Sequence, residues 1–389
     1  MIDSPTRINT GRIRELDGLR GVAVLSIVFL HYFVHHIQSQ PGTPIAYAQK
    51  YLMFLWVGVD AFFVLSGFLI GGILLDQKHA LNYFRVFYLR RALRILPPYF
   101  FLLAFWWLAQ RLTEDHLNVK WLMEPHVPFW PYLLYVQNFW MAAQNSIGPL
   151  FVGITWSLAI EEQFYLLFPL LIRFLPAPIL PRMLLYGALF APLGRLGCAL
   201  LGGNWHEAQS HLLPTRWDSL LVGALVAWAV RSPEALEWIR ARRKLAWLTV
   251  SMSGLVMVLY PCVSNREGNL GSLVDSFALY TIIAVFFGSV LLLLNLGWLP
   301  RIAGMLSSRL LCFFGRISYS VYLFHVAILG LMFPLLRGTD PVLSCWQDAG
   351  VMAGAFFVTI GLAQLTWLLF ERRLIRLGHG FVYRVSRVS

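Results

Sequence analysis

Apolar residues run through this chain in long stretches separated by short polar segments. A helix needs roughly 20 mostly apolar residues to cross a bilayer. Ten such stretches occur, near residues 18–38, 52–75, 95–112, 149–175, 183–202, 214–230, 245–263, 273–296, 313–336 and 347–370. The pattern predicts an all-α fold, a polytopic membrane helical bundle of about ten transmembrane helices. The connecting segments are too short to hold a soluble domain. Residues 1–389 are therefore expected to form one membrane domain, with a short N-terminal segment at 1–15 and a tail at 372–389.

Composition agrees with the pattern. The chain is 58% hydrophobic and 13% charged, whereas soluble domains carry about 25% charged residues. The net charge of +12 would suggest a nucleic-acid partner in another protein. Here it follows the spans. Twenty-four of the 31 basic residues fall in the N-terminal segment, in alternate loops (76–95, 173–182, 231–244 and 297–316) and in the tail. Six lie on the opposite side, and Arg195 sits inside a span. The positive-inside rule then places both termini in the cytoplasm. No nucleic acid is implied, and the bilayer is the partner that the charge pattern addresses.

The four cysteines (198, 262, 312 and 345) show neither a CxxC pair nor a histidine at ligand spacing. No metal site and no disulfide framework is expected from them. Cys262 and Cys345 both fall on the outer side, so a bond between them fits the topology, although no spacing requires it. Ala46-Tyr47-Ala48 lies too far beyond the first apolar run to serve as a cleavage site, and that run is expected to remain. The longest outer loop, 113–148, contains FWPYLLYVQNFW. It is too apolar for a solvated loop and is expected to be either re-entrant over a cavity or a folded-back interfacial helix.

Ionisable residues inside spans are costly and usually face a cavity or a partner. The first span, LDGLRGVAVLSIVFLH, carries Arg20 and His31. Eleven residues bring the two within about 20° of one helix face and about 16 Å apart. Arg20 is thus expected at the inner mouth and His31 near mid-membrane. In TWSLAIEEQFYLLFPLLIR, Glu161 stands about 18 Å from Arg173, with Glu162 and Gln163 beside it. In GRISYSVYLFH, His325 stands about 13 Å past Arg316. Two histidines and a carboxylate pair therefore approach one depth from three spans. Such a set suits general-base chemistry on a hydroxyl, and a proton relay in a carrier would use the same residue types. In YFRVFYLRRALRILPPYF, Arg90, Arg91 and Arg94 cluster before a span. Arg91 and Arg94 form a fork that suits the phosphates of a nucleotide-like ligand, while ordinary inner-side anchoring would also place arginines there.

Together these stretches resemble the acyltransferase-3 family of membrane O-acyltransferases. VGVDAFFVLSGFLI, RWDSLLVGALVAW and the closing LLFERR complete the match, in the family's order, from about residue 14 to 373. The resemblance implies an acyl group, usually acetyl, drawn from cytoplasmic acyl-CoA as co-substrate without a metal. That group would pass to a hydroxyl of a surface glycan or, in some relatives, a small molecule. It implies a multi-pass location in the bacterial inner (plasma) membrane. By the same resemblance His31 is the catalytic residue, and Arg91 and Arg94 hold CoA phosphates with Arg20 assisting. Glu161 matches the family's glutamate, and pairing it with His31 is an inference added here. Asp60, Ser66, Asp218, Tyr319 and His325 occupy motif positions, and with Glu162 are candidates to line the cavity. Many relatives close with Glu-Arg-Pro, whereas Arg373 follows Glu371-Arg372 here, which bears on the last helix end. The hydrolase-like domain fused to some relatives is not expected. Two rival classes are a proton-coupled carrier, with Glu161, His31 and His325 as its relay, and a non-catalytic partner that presents a lipid-linked sugar.

Overall fold

A computed structural model describes residues 14–113, 119–200, 206–263 and 275–384. Ten long helices correspond one to one with the ten apolar stretches. They are α1 (Arg14–Tyr32), α2 (Gly58–Asp76), α3 (Tyr83–Thr113), α4 (Trp156–Phe174) and α5 (Leu180–Leu200). The second half supplies α6 (Leu213–Ala229), α7 (Arg243–Val263), α8 (Tyr280–Asn295), α9 (Arg309–Arg337) and α10 (Trp346–Thr366). Among the described residues the only extended pairing is an isolated bridge between Ile37 and Leu343.

Eight of the described stretches are long and apolar enough to cross a membrane, or nine if the pair Glu207–Ala229 and Pro233–Ala241, bent by 97°, counts as one. The long helix left out is α4. It carries Glu161, Glu162 and Arg173 within 19 residues, too polar for a lipid-facing span but suited to a helix beside a cavity. The chain is thus a multi-pass membrane protein, with one of its ten helices set apart by charge.

Loops expected on the same side do meet. Arg14 donates to the Ser307 carbonyl at 2.8 Å, Lys78 to the Leu175 carbonyl at 2.6 Å, and Arg90 to the Phe381 carbonyl at 2.7 Å. Arg231 pairs with Asp76 at 2.7 Å. At the other end Asn138 donates to the His211 carbonyl at 3.0 Å.

The core is built on backbone-to-backbone approach. Lipid chains are as apolar as leucine, so membrane helices associate through close packing at small residues. Gly18 and Gly21 of α1 lie against the Leu306 and Leu311 carbonyls, and Gly315 of α9 against the Asp17 carbonyl. Gly67 of α2 and Gly223 of α6 make the reciprocal contact through the Leu220 and Val64 carbonyls. A methyl group at Gly223 would collide with the Val64 backbone, which has no rotamer to move. Gly223→Ala is expected to cost about 2 kcal/mol and lower the apparent Tm in detergent. An unchanged Tm would mean that α2 and α6 can separate freely.

The aromatic outer segment is folded into the bundle as short helices, Lys120–Met123, Trp130–Leu133 and Gln137–Gln144, rather than lying flat on it. Tyr132, Gln137, Asn138 and Met141 are fully buried. Gln137 donates to the Thr155 carbonyl at 2.9 Å, and Asn138 exchanges hydrogen bonds with Gln163 at 2.8 and 3.3 Å. The segment thereby braces the start of α4. Beyond α10, Trp367–Glu371 forms one wide π-type turn before a last helix, Arg372–His379. There Glu371 is buried and accepts from Ser320 at 2.6 Å.

Cys262 and Cys345 are unbridged. Cys262 meets the Tyr51 hydroxyl, and Cys345 caps α10 beside Asp348.

Candidate functional site

A cavity opens between α1, α2, α3, α4 and α9. Arg20, Arg91 and Arg94 line its mouth, with Glu161 and Tyr165 from α4 and Ser66 from α2 beside them. Ser157, Phe62 and Tyr322 line the deeper part. Along α2 the lining runs from Ile70 to Val59, a depth of about 16 Å.

Arg91 and Arg94 both line the cavity, and Arg20 joins them from the neighbouring helix. The Arg91 guanidinium lies over the rings of Phe87 and Tyr165 at 5.9 and 5.7 Å. Among the described residues, none of the three guanidinium groups makes an ion pair or side-chain hydrogen bond to a protein group. Their donors stay available to a ligand. Glu161 is the nearby counter-charge to Arg20 and Arg91, and beside it the Ser66 and Tyr165 hydroxyls hydrogen-bond each other. Half-buried planar donors of this kind match phosphate oxygens in geometry and charge.

One turn beyond Tyr322 lies the histidine pair. His31 Nδ1 and His325 Nε2 are 2.7 Å apart, and the rings meet edge to edge, with centres 5.0 Å apart and 18° between planes. His325 is fully buried, and its Nδ1 lies 2.7 Å from the Tyr322 carbonyl oxygen. Tyr32 donates to the His325 carbonyl at 2.9 Å and shares a 2.8 Å hydrogen bond with Thr359 of α10. His31 is partly exposed, with His35 next to it at 5.1 Å between rings. Tyr322 belongs to both halves of the site. Its hydroxyl meets Ser157 at 2.7 Å on the cavity side, and its carbonyl faces the histidines.

Several expectations need correction. The ring against His31 is His325, whereas Glu161 sits at the arginine mouth. Ser66 and Tyr319 do line the cavity, but Asp60, Asp218 and His325 do not. Asp60 takes both its oxygens to Arg216 at 3.0 Å and accepts from Ser219 at 2.8 Å. Asp218 pairs with Arg195 at 2.9 Å and accepts from Thr281 at 2.7 Å. These carboxylates balance arginines in the helix interior. Glu162 lies outside the lining, near Tyr135 and Tyr99. None of the described residues of the aromatic outer segment lines the cavity. Tyr165, Ser157 and Tyr322 were missed, although Tyr322 stands three residues before His325, on the same helix face.

An apolar bundle with a cavity that opens on unpaired guanidinium groups defines a multi-pass membrane protein with an anion-receptive site. The chain belongs to the acyltransferase-3 family, whose model, described as an acyltransferase domain, matches residues 13–368. It is 30% identical over 332 residues to the O-acetyltransferase OatA of Staphylococcus aureus strain NCTC 8325 / PS 47, covering 81% of this chain and 50% of that protein. The OatA of strain COL matches to the same extent. The chain spans about half the length of these curated relatives. No solved structure matches it.

Proposed function

We propose that this protein is a membrane O-acyltransferase that takes an acyl group, acetyl in the first instance, from acyl-CoA and passes it to a hydroxyl of a glycan or glycan-like acceptor. It is assigned to the plasma (inner) membrane, with both termini and the arginine mouth in the cytoplasm. The observation that carries this reading is the pairing of an unspent arginine cluster at one end of a cavity with a histidine pair just past the other. CoA has the matching shape, with phosphates at one end, a long pantetheine arm, and the thioester at its tip.

In this reading Arg20, Arg91 and Arg94 hold the phosphates, and Glu161 keeps the guanidinium groups from repelling one another. The pantetheine arm follows the cavity along α2 towards Tyr322. His31, partly exposed, takes the proton from the acceptor hydroxyl. The oxygen attacks the thioester carbonyl, the C–S bond breaks, and the proton leaves with the CoA sulfur. The same base serves a direct transfer or a two-step passage through an acyl-enzyme.

The test is acyl-CoA binding by the purified protein. Each charge-assisted hydrogen bond contributes about 1.5–3 kcal/mol, so Arg91→Ala/Arg94→Ala is expected to weaken acetyl-CoA binding by about 100-fold or more. Unchanged affinity in the double variant would remove the arginines from the donor site. Substrate uptake into proteoliposomes without acyl-CoA would replace the transferase reading with a carrier.

A further inference from the structure

The hydrogen bonds around the two histidines determine which ring nitrogen carries the hydrogen. A carbonyl oxygen only accepts, so the 2.7 Å contact with the Tyr322 carbonyl requires a hydrogen on His325 Nδ1. Neutral His325 then presents a lone pair at Nε2. The 2.7 Å contact from that lone pair to His31 Nδ1 requires a hydrogen on His31 Nδ1. Neutral His31 is thereby left with a bare Nε2, a nitrogen ready to accept a proton. We propose that His325 is the positioning residue that holds His31 in this tautomer, and that the two neutral rings together take up one further proton and no more.

The inference rests on reading His31 as the base and deepens it. In a Ser-His-Asp triad, a carboxylate on the far ring nitrogen fixes the tautomer and steadies the imidazolium. Here a neutral imidazole does the first task and part of the second. When His31 Nε2 takes a proton, the Nδ1–H of the cation still donates to His325, and the charge spreads over both rings. Two added protons cannot be held. His325 Nε2–H and His31 Nδ1–H would then face each other across 2.7 Å, and the hydrogen bond would be lost. The nitrogens point at each other, which also leaves no room for a metal between them.

The surroundings fit a pair that works without a carboxylate. The titratable groups facing it are His35 and His36 from the segment after α1, Tyr32 from α1 and Tyr322 from α9. Thr359 of α10 reaches it through the Tyr32 hydroxyl. Among the described residues no carboxylate is within hydrogen-bond reach of either ring. Tyr32 also clamps the His325 backbone at 2.9 Å, so the acceptor nitrogen is held by its own helix and by two others.

The experiment compares His325→Ala, His325→Gln and His31→Ala with the wild type in purified, folded protein, using acetyl-CoA and following CoA release in the presence of acceptor. Side-chain nitrogen NMR of histidine-labelled protein reads the tautomer of His31 directly. His325→Ala is expected to lower kcat by about 100-fold with the KM for acetyl-CoA within about twofold of wild type. In His325→Gln the amide oxygen supplies an uncharged acceptor near the Nε2 position, and kcat is expected to return to within about tenfold of wild type. The NMR spectrum is expected to show Nδ1–H on His31 in the wild type and loss of that preference in His325→Ala. Wild-type kcat in His325→Ala, or an Nε2–H tautomer of His31 in the wild type, overturns the positioning role even if His31→Ala is inactive. Full activity in His31→Ala overturns the base reading instead, and the tautomer measurement then decides by itself what His325 does.

Discussion

Replacing His31 with alanine is expected to reduce acyl transfer by about 1000-fold or more while acetyl-CoA still binds. A positioned general base contributes about 100- to 10,000-fold, and about 1.4 kcal/mol of barrier corresponds to each factor of ten. His31 is partly exposed and hydrogen-bonded to the buried His325. The donor site lies elsewhere. Arg20 stands eleven residues earlier on α1, about 16 Å away, and Arg91 and Arg94 belong to α3. Donor affinity and turnover should therefore separate cleanly. The measurement is calorimetric binding of acetyl-CoA alongside CoA release with acceptor. Turnover within tenfold of wild type in His31→Ala would remove this ring as the base. A parallel loss of binding would mean that the cavity and the histidines act as one site.

The second large effect concerns stability. Arg216→Ala is expected to destabilise the protein by about 3–5 kcal/mol, because it leaves a buried carboxylate without its counter-charge. Asp60 and Arg216 are almost fully buried. The guanidinium lies 3.8 Å from the centre of the Tyr280 ring, joining α2, α6 and α8 through one side chain. Asp60→Ala should cost a similar amount by orphaning the arginine. Replacing both partners by apolar residues, as in Asp60→Leu/Arg216→Met, should recover most of the loss, since an ion pair and a well-packed apolar pair are often close in stability. Thermal unfolding in detergent measures all three. Additive losses in the double variant would show that the two side chains stabilise the fold independently. Because neither lines the cavity, acetyl-CoA affinity measured on the folded fraction should stay at the wild-type value.

The ten apolar stretches were legible because the bilayer imposes one length on every span, and each stretch became one long helix. The charge alternation was equally legible, and the contacts that tie Arg14 to Ser307 and Asp76 to Arg231 follow it. Depth could also be read. Arg20, Arg91 and Arg94 meet at the mouth, and His31 and His325 meet deeper in. Depth is a single coordinate, however, and carries no information on which helices are neighbours around the bundle axis. Glu161 was paired with His31 on depth alone, while helix packing turned it towards Arg20 and brought α9 against α1. Asp60 and Asp218 were cavity candidates only because they occupy family motif positions. Their partners, Arg216 and Arg195, sit on other helices, and no spacing along the chain announces such pairs. The aromatic segment 113–148, too apolar for a solvated loop, was expected to be either re-entrant over a cavity or a folded-back interfacial helix. Its glutamine and asparagine turned out to brace α4 instead.

The contact between α1 and α9 has one further consequence. The two helices run parallel, joined at one end by Gly18, Gly21 and Gly315 and at the other by the histidine pair. The glycines admit only one alignment of the two backbones, so the meeting of the rings is set about 15 Å away from where they touch, ten residues along α1. One residue inserted between Gly21 and His31 would swing the imidazole by about 100° and lift it by about 1.5 Å, with every side chain still present. In this stretch the number of residues matters as much as their identity, and the helix serves as a ruler with a glycine at its zero.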